Sequence, residues 1–493
     1  MEPTHTSNDK STKDFHLMPI QTPFGQQIVE FFVFLRLMKR LRTAFTWGIG
    51  TILLLMGSQA MGQSSAVLSL EEFIQQGLES TSTVDVLEKD VALSQWEVRN
   101  ARSQRILPLV RLETQHGLVP GVESSSFPDG QLYLDPYLDN DWENWALFTR
   151  AQIEAIQPLY TWGAIPSAIQ AARFNAERVE FETEVKYATF EVQLAEIYIG
   201  MQLSNSLMLI SKEADELISQ ANEEILKQRE DGTYDLNESD VFEFEVFELE
   251  YEGQRAQVDA VAEQMDRLWS LALDGRQAVA EEFMGVDGVS LPPFSELLAL
   301  ALEQRAELKA VEAGQRALEA GKRAALAERY PTIYLGLSAS GAITPNRPKQ
   351  DNPFINNSTN FASARFGIGV SQNLNLQSLR LKGDKFSIQQ DQLAETEQLL
   401  RQQIQLDVVQ RLQEAESALA QLRSLNAALV KTKEWVRHEQ LNMDYGFGDV
   451  KNLVDAFKKE LELEAAVSRA KYEWSMARVR LNQALGIPLS TTY

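Results

Sequence analysis

The stretch 231–250, DGTYDLNESDVFEFEVFELE, returns at 445–464 as YGFGDVKNLVDAFKKELELE. Gly232 falls on Gly446, Asp235 on Asp449, and Glu248-Leu249-Glu250 on Glu462-Leu463-Glu464, an offset of 214 residues. Self-similarity at a fixed spacing marks a duplicated structural unit and is read before single elements. Upstream, residues 73–108 resemble 297–331 in the same way. The chain therefore divides into two halves, 63–285 and 286–493. Each half reads helix, strand, strand, long helix, helix.

The helices are the clearer part. Residues 163–230 and 377–445 run with helical periodicity, each long enough for roughly 100 Å at about 1.5 Å per residue. Val408, Ala415, Leu422 and Leu429 stand seven apart, interleaved with Leu412, Leu419 and a polar Asn426, which is a coiled-coil seam. Return helices are expected at 241–273 and 453–485, the second with an apolar stripe of Val454, Phe457, Leu461 and Ala465. The helix that follows Pro293 could lengthen the first return helix end to end. Gly232, Gly446 and Gly448 suit the tight turns between the long and return helices.

Ahead of each long helix the period changes to two. Ile333, Leu335, Leu337 and Ala339 alternate with Tyr334, Gly336, Ser338 and Ser340; Ala364, Phe366, Ile368 and Val370 alternate with Ser363, Arg365, Gly367 and Gly369. Trp145, Leu147, Ala151 and Ile153 form a third set, and Val110 and Leu112 a weaker fourth. Four strands of about ten residues have the length that crosses a bilayer when tilted. Long polar loops, 119–144 and 343–360, join them on one side, as in outer-membrane barrels. Four strands cannot close a barrel, and an open sheet in lipid leaves backbone groups unpaired, so further copies of the chain must complete it. Trp142, Trp145, Tyr160, Trp162 and Tyr330 lie at strand ends and fit an interfacial aromatic belt, with ordinary core packing as the alternative.

With 46 Lys and Arg against 70 Asp and Glu, the net charge is −24. Such a balance disfavours nucleic acid, whose binding rests on basic side chains releasing counterions. The chain has no cysteine, which excludes disulfides, thiolate metal sites and a lipidated cysteine anchor. Residues 38–62 read as a secretory signal: Lys39, Arg40 and Arg42, an apolar run from Ala44 to Met56, and Ala60-Met61-Gly62 as the cleavage site. Residues 1–37 read as an upstream extension outside the true start. An uncleaved anchor over 28–56 is the competing reading, interrupted by Glu30, Arg36 and Arg40.

Taken together, the duplicated plan, the helix-to-strand junctions RSQRILPLVRLE (102–113) and LAERYPTIYLG (326–336), the strand-to-helix junctions IQPLYTWG (156–163) and VSQNLNLQS (370–378), and the two tip segments resemble the TolC-type outer-membrane efflux and secretion proteins over residues 63–493. The resemblance implies a mainly helical homotrimer. Twelve strands would form one transmembrane β-barrel, four from each chain, continuous with a periplasmic α-barrel of twelve coiled-coil helices. It implies a passive duct of a tripartite efflux or type I secretion system, in the outer membrane with its tunnel in the periplasm, docking a periplasmic adaptor protein and an inner-membrane pump. It also implies an acidic constriction at the tip. The family's acidic positions fall on Glu238, Asn452 and Asp455, and Asn452 departs from the pattern.

Asp231, Asp235, Glu238, Asp240, Asp449 and Asp455, repeated by symmetry, would put a strong negative field at a narrow mouth. Solvated carboxylates at helix N-termini are the plainer reading. No catalytic constellation, cofactor motif or metal-ligand spacing stands out. His5, His16, His116 and His438 are isolated, Leu381-Lys382-Gly383-Asp384-Lys385 lacks the spaced glycines of a phosphate loop, and Glu243, Glu245, Glu248 and Glu250 read as an exposed helix face. An exported coiled-coil structural or adhesion protein with a soluble β-domain is the second reading of the chain, and a periplasmic enzyme the third.

Overall fold

A computed structural model describes residues 66–489 except 136, 231–237, 284, 286–287, 348, 350–353, 355–357 and 446–449. The expected leader at 1–62 lies outside these residues.

A short strand, β1 (Ala66–Leu68), leads into α1 (Leu70–Ser80) and α2 (Ser82–Ile106). The sequence suggests one helix here, and the structure breaks it at Thr81. That residue is extended, and its hydroxyl accepts from the Thr83 amide at 3.4 Å, capping α2. Ser69 and Glu72 form a reciprocal capping box at the start of α1. The next elements are β2 (Leu109–Glu123), β3 (Asp139–Tyr160), the long α3 (Ala164–Glu230), α4 (Glu238–Ala272) and β4 (Ala278–Ala280).

The same order then resumes with a second broken helix, α5 (Phe294–Gln304) and α6 (Ala306–Ala327). Arg305 is extended at the break, and its guanidinium is held by Glu307 at 3.1 Å and Asp407 at 3.0 Å. Gly486 lies against this break at φ +73°, and a Cβ there would stand 3.0 Å from the Arg305 amide nitrogen, so only glycine fits. The chain continues through β5 (Thr332–Ile343), β6 (Phe361–Ser371), the long α7 (Leu376–Asp444) and α8 (Val450–Leu485).

β2, β3, β5 and β6 form an antiparallel sheet in that order, and β1 pairs with β4 in parallel. Helix packing follows the sheet order: α2 lies against α3, α3 against α6, and α6 against α7. Further from the sheet, α4 lies against α3, α3 against α8, and α8 against α7. Thus α4 succeeds α2 in one column and α8 succeeds α6 in another, beside the uninterrupted α3 and α7. The expected extension of the first return helix by the helix after Pro293 is not what the chain does. Because α6 feeds β5, and β5 pairs with β3 at the head of α3, α6 must stand between α3 and α7.

Two clusters hold the helices. At the column junctions Phe73 stacks on Trp269, with ring centroids 4.3 Å apart, among Leu68, Ile74, Leu194, Tyr198, Met476 and Leu489. The Tyr198 hydroxyl donates to the Leu68 carbonyl and accepts from the Glu281 amide, bridging the ends of β1 and β4, and burial pushes its pKa up to about 12. Leu489 is fixed there by its amide, which donates to the buried Glu191 carboxylate at 3.1 Å.

In the second cluster the expected heptad residues Val408, Leu412, Ala415, Leu419 and Leu422 are buried against Val467, Ala470, Trp474 and Leu481 of α8. Leu429 is half-buried at its end, and so is the stripe of Val454, Phe457, Leu461 and Ala465. Because Leu422 is fully buried in this seam, Leu422→Ala is expected to destabilise the helical part by about 2–5 kcal/mol, read as a lowered midpoint in denaturant unfolding. The exposed Val430, one position beyond Leu429, should tolerate alanine with almost no change.

Candidate channel wall and tip

The register of the sheet sorts its side chains onto two faces, because directly opposed residues in antiparallel strands point the same way. Val110 opposes Ala155, Ala155 opposes Leu337, and Leu337 opposes Phe366. The next row is Leu112, Ile153, Ala339 and Ala364. One face is therefore apolar across all four strands. The other carries Arg111, Glu154, Ser338 and Arg365 in one row and Glu113, Gln152, Ser340 and Ser363 in the next.

Among the described residues no layer covers the apolar face: Phe366 is 84% and Ile368 72% exposed, and Leu112, Leu118, Leu147 and Val370 are exposed as well. Two aligned rows of this kind, spanning four strands, make a contiguous apolar patch of the type that marks a lipid or protein contact. His116, isolated in the sequence, lies on this face with Nδ1 3.1 Å from the Thr149 hydroxyl. The strands are longer than expected on the first hairpin, where β3 takes in Asp139–Asn144 and β2 reaches Glu123 around a bulge at Pro120/Gly121. Asn346 and Arg347 of the second hairpin's loop fasten this region. Arg347 donates to the Pro120 carbonyl at 2.7 Å and to the Asn140 side chain at 2.9 Å.

All five aromatic residues singled out from the sequence are exposed, and they form two groups. Trp142 and Trp145 have centroids 5.9 Å apart at the loop end of β3. Tyr160, Trp162 and Tyr330 meet at its helix end, with Trp162 5.0 Å from Tyr160 and 5.4 Å from Tyr330. Trp162 has φ +51°, an uncommon conformation for a bulky residue. Its indole N–H donates to the Pro331 carbonyl at 2.7 Å and ties the strand-to-helix turn to the neighbouring helix-to-strand turn. From Trp145 to Tyr160 the strand runs roughly 50 Å at about 3.3 Å per residue. At a tilt of about 40° this is roughly 35–40 Å along a barrel axis, close to a bilayer with its headgroups. No described helix is long and apolar enough to cross a membrane.

Of the tip set, Glu238 and Asp240 lie in the first turn of α4, and Asn452 and Asp455 in the first two turns of α8. Glu238, Asn452 and Asp455 are exposed. Asp231, Gly232, Asp235, Gly446, Gly448 and Asp449 lie outside the described residues. The acidic face of α4 is partly paired, which the sequence alone does not reveal. Glu243 meets Lys451 at 2.8 Å, and Glu250 lies 3.9 Å from Lys458, both lysines coming from α8. The hydrogen bond from Lys451 holds the Glu243 carboxyl below the usual range.

Further along, Lys433 of α7 reaches Glu464 at 2.7 Å and Glu460 at 3.9 Å on α8, with Glu213 of α3 adding its field. The hydrogen bond to Glu464 raises the Lys433 pKa. Burial, and after it the neighbouring Glu464 charge, raises that of Glu460. Their signals are invisible in sequence because they depend on which helices become neighbours.

Sixteen per cent of residues are identical between this chain and the solved structure of CusC, described in terms of folding and transmembrane channel formation; the two superpose with a TM-score of 0.65 over 87% of this chain and 95% of that one. The open state of the Neisseria gonorrhoeae MtrE outer-membrane channel gives 0.64 at 15% identity over 85% and 89%. The Campylobacter jejuni CmeC outer-membrane channel gives 0.61 at 11% over 90% and 94%. The chain thus has the fold of the TolC-type outer-membrane channels. No family model matches the sequence, and no curated protein matches it either.

Glu460, with its raised pKa, binds its proton at a higher pH folded than unfolded, so its charged form opposes folding and acidification relieves it. Removing the compensating ammonium should sharpen this. Lys433→Ala is expected to lower stability by about 1 kcal/mol at neutral pH, with a smaller deficit near pH 5 as Glu460, its pKa raised by burial, takes up its proton. Thermal unfolding at the two pH values measures it.

Proposed function

We propose that this chain, with its channel fold, is one third of a trimeric duct through the outer membrane. The observation that carries the reading is the apolar sheet face, continuous across four strands and open along its whole area. A soluble β-domain in a coiled-coil adhesion protein would bury that face internally. Lipid covers it in a barrel, and the polar face with Arg111, Glu154 and Arg365 then lines a wet lumen. Three chains would supply twelve strands and close every edge. The same closure would turn four helix columns per chain into a twelve-helix tunnel of about 100 Å.

In this reading residues 38–62 direct export, and 63–285 and 286–493 are the two copies of a duplicated unit. The duct is passive and performs no chemistry. It passes substrates delivered by an inner-membrane pump through a periplasmic adaptor docked at the tip. There Asp231, Asp235, Glu238, Asp240, Asp449 and Asp455 would form an acidic mouth, with Gly232, Gly446 and Gly448 in the turns and Asn452 leaving one position uncharged. The two aromatic groups would then sit at the two membrane interfaces, with the helices in the periplasm.

Electron microscopy of the protein extracted from membranes in detergent tests this directly. A hollow threefold cylinder ending in a short barrel is expected; a compact particle, or a filament released without detergent, would overturn it. The faces make a second prediction. Phe366→Arg, on the apolar face midway along β6, should cost about 2–4 kcal/mol of membrane stability and deplete the assembled protein, whereas Ser363→Arg, on the polar face of the same strand, should assemble normally.

A further inference from the structure

At the helix end of the sheet the polar face is built from an aromatic ring lying on glycine. Tyr334 of β5 opposes Gly369 of β6, and Gly336 opposes Gly367. A Cβ at position 369 would stand 2.5 Å from the Tyr334 Cζ and 2.6 Å from its hydroxyl oxygen, and one at 336 would stand 3.4 Å from Cε2. Nothing lies within 4 Å of a Cβ at 367. The phenol therefore leans across β6 and occupies the volume that any side chain at 369 would claim. It lies flat along the sheet and does not project from it.

We propose that Gly369 is the seat that keeps Tyr334 against the wall, and that Tyr334 thereby sets the size of solute passing the barrel where it meets the helical tunnel. This rests on the reading that the polar face lines the lumen. An eight-stranded barrel is just filled by its own side chains, and barrels of sixteen or more strands hold an open aqueous channel. Twelve strands fall between, where three inward phenols would decide the free cross-section. Side chains at 369 force the ring off its seat. The remaining staggered χ1 positions swing it away from the sheet, toward the axis. An aromatic ring over a strand glycine is also a known packing device that only stabilises a sheet, so the test must separate passage from stability.

The chain has no cysteine, so S371C supplies a single thiol. Position 371 shares the polar face with Tyr334, being opposed to Thr332, and lies on the helix side of it. In intact cells carrying full-length S371C protein, a small maleimide and a polyethylene-glycol maleimide added outside should both react. Adding Gly369→Val should cut reaction of the polymer while the small reagent still reacts. Adding Tyr334→Ala to that variant should restore the polymer, although the valine remains. Polymer reaction unchanged by Gly369→Val, or lost and not restored by Tyr334→Ala, overturns the proposal and leaves the ring as a packing feature. If neither reagent reaches the thiol of the parent variant from outside, the lumen reading itself fails, and this inference with it.

Discussion

β2 and β6 are the edges of the sheet, and among the described residues no strand pairs with their outer flanks, on a sheet whose one face is apolar and open. In hydrocarbon each unpaired group costs several kcal/mol, far more than any side-chain contact at the same place returns. This edge requirement is the constraint from which the remaining architecture follows. In the proposed duct it would make association a condition of the fold, set β6 of one copy against β2 of another, and leave the helix flanks of α2, α4 and α7 to follow wherever the strands go.

Carrying one column order through both layers raises a geometric difficulty. Neighbouring strands lie about 4.8 Å apart and packed helices about 8–10 Å, so the layer must widen where one becomes the other. Sharp turns and chain breaks gather at that level: Trp162 and Gly163 at positive φ, and Pro108 and Pro331 directly before strands. The indole bond from Trp162 to the Pro331 carbonyl joins two of these turns, so adjacent columns spread together. The small residues on the polar face nearby, Gly336, Gly367 and Gly369, leave the sheet thin where the Tyr334 ring is laid on it.

What sequence reading recovers are the patterns that repeat within one element. The seam from Val408 to Leu422 is buried as its spacing requires, and the alternation from Ala364 to Val370 lies in β6 with its apolar members on one face. What it misses depends on neighbours distant in sequence. Thr81 and Arg305 sit in runs that are helical by composition. They break because Thr81 caps a second helix and because Arg305 is drawn to Glu307 and Asp407. The extra length of β3 over Asp139–Asn144 follows from pairing with β2 across a bulge and shows no alternation of its own. Glu243 and Glu250 look like free surface charge until α4 and α8 are set side by side.

The attachment of Leu489 to Glu191 and its burial with Leu68 and Phe73 also has a meaning in time. On a ribosome these groups are made at opposite ends of synthesis. The cluster that locks the columns cannot close completely while the chain is still emerging: Trp269 can stack on Phe73 midway through synthesis, but Leu489 follows Phe73 by more than four hundred residues. Until then the helices of the first half lack part of their packing, and most of a helix's stability comes from packing. In the proposed duct, whose chain would be threaded through one membrane before it entered another, this delay would be a gain. The chain's own topology keeps this junction open until Leu489, beyond the end of α8, has been made.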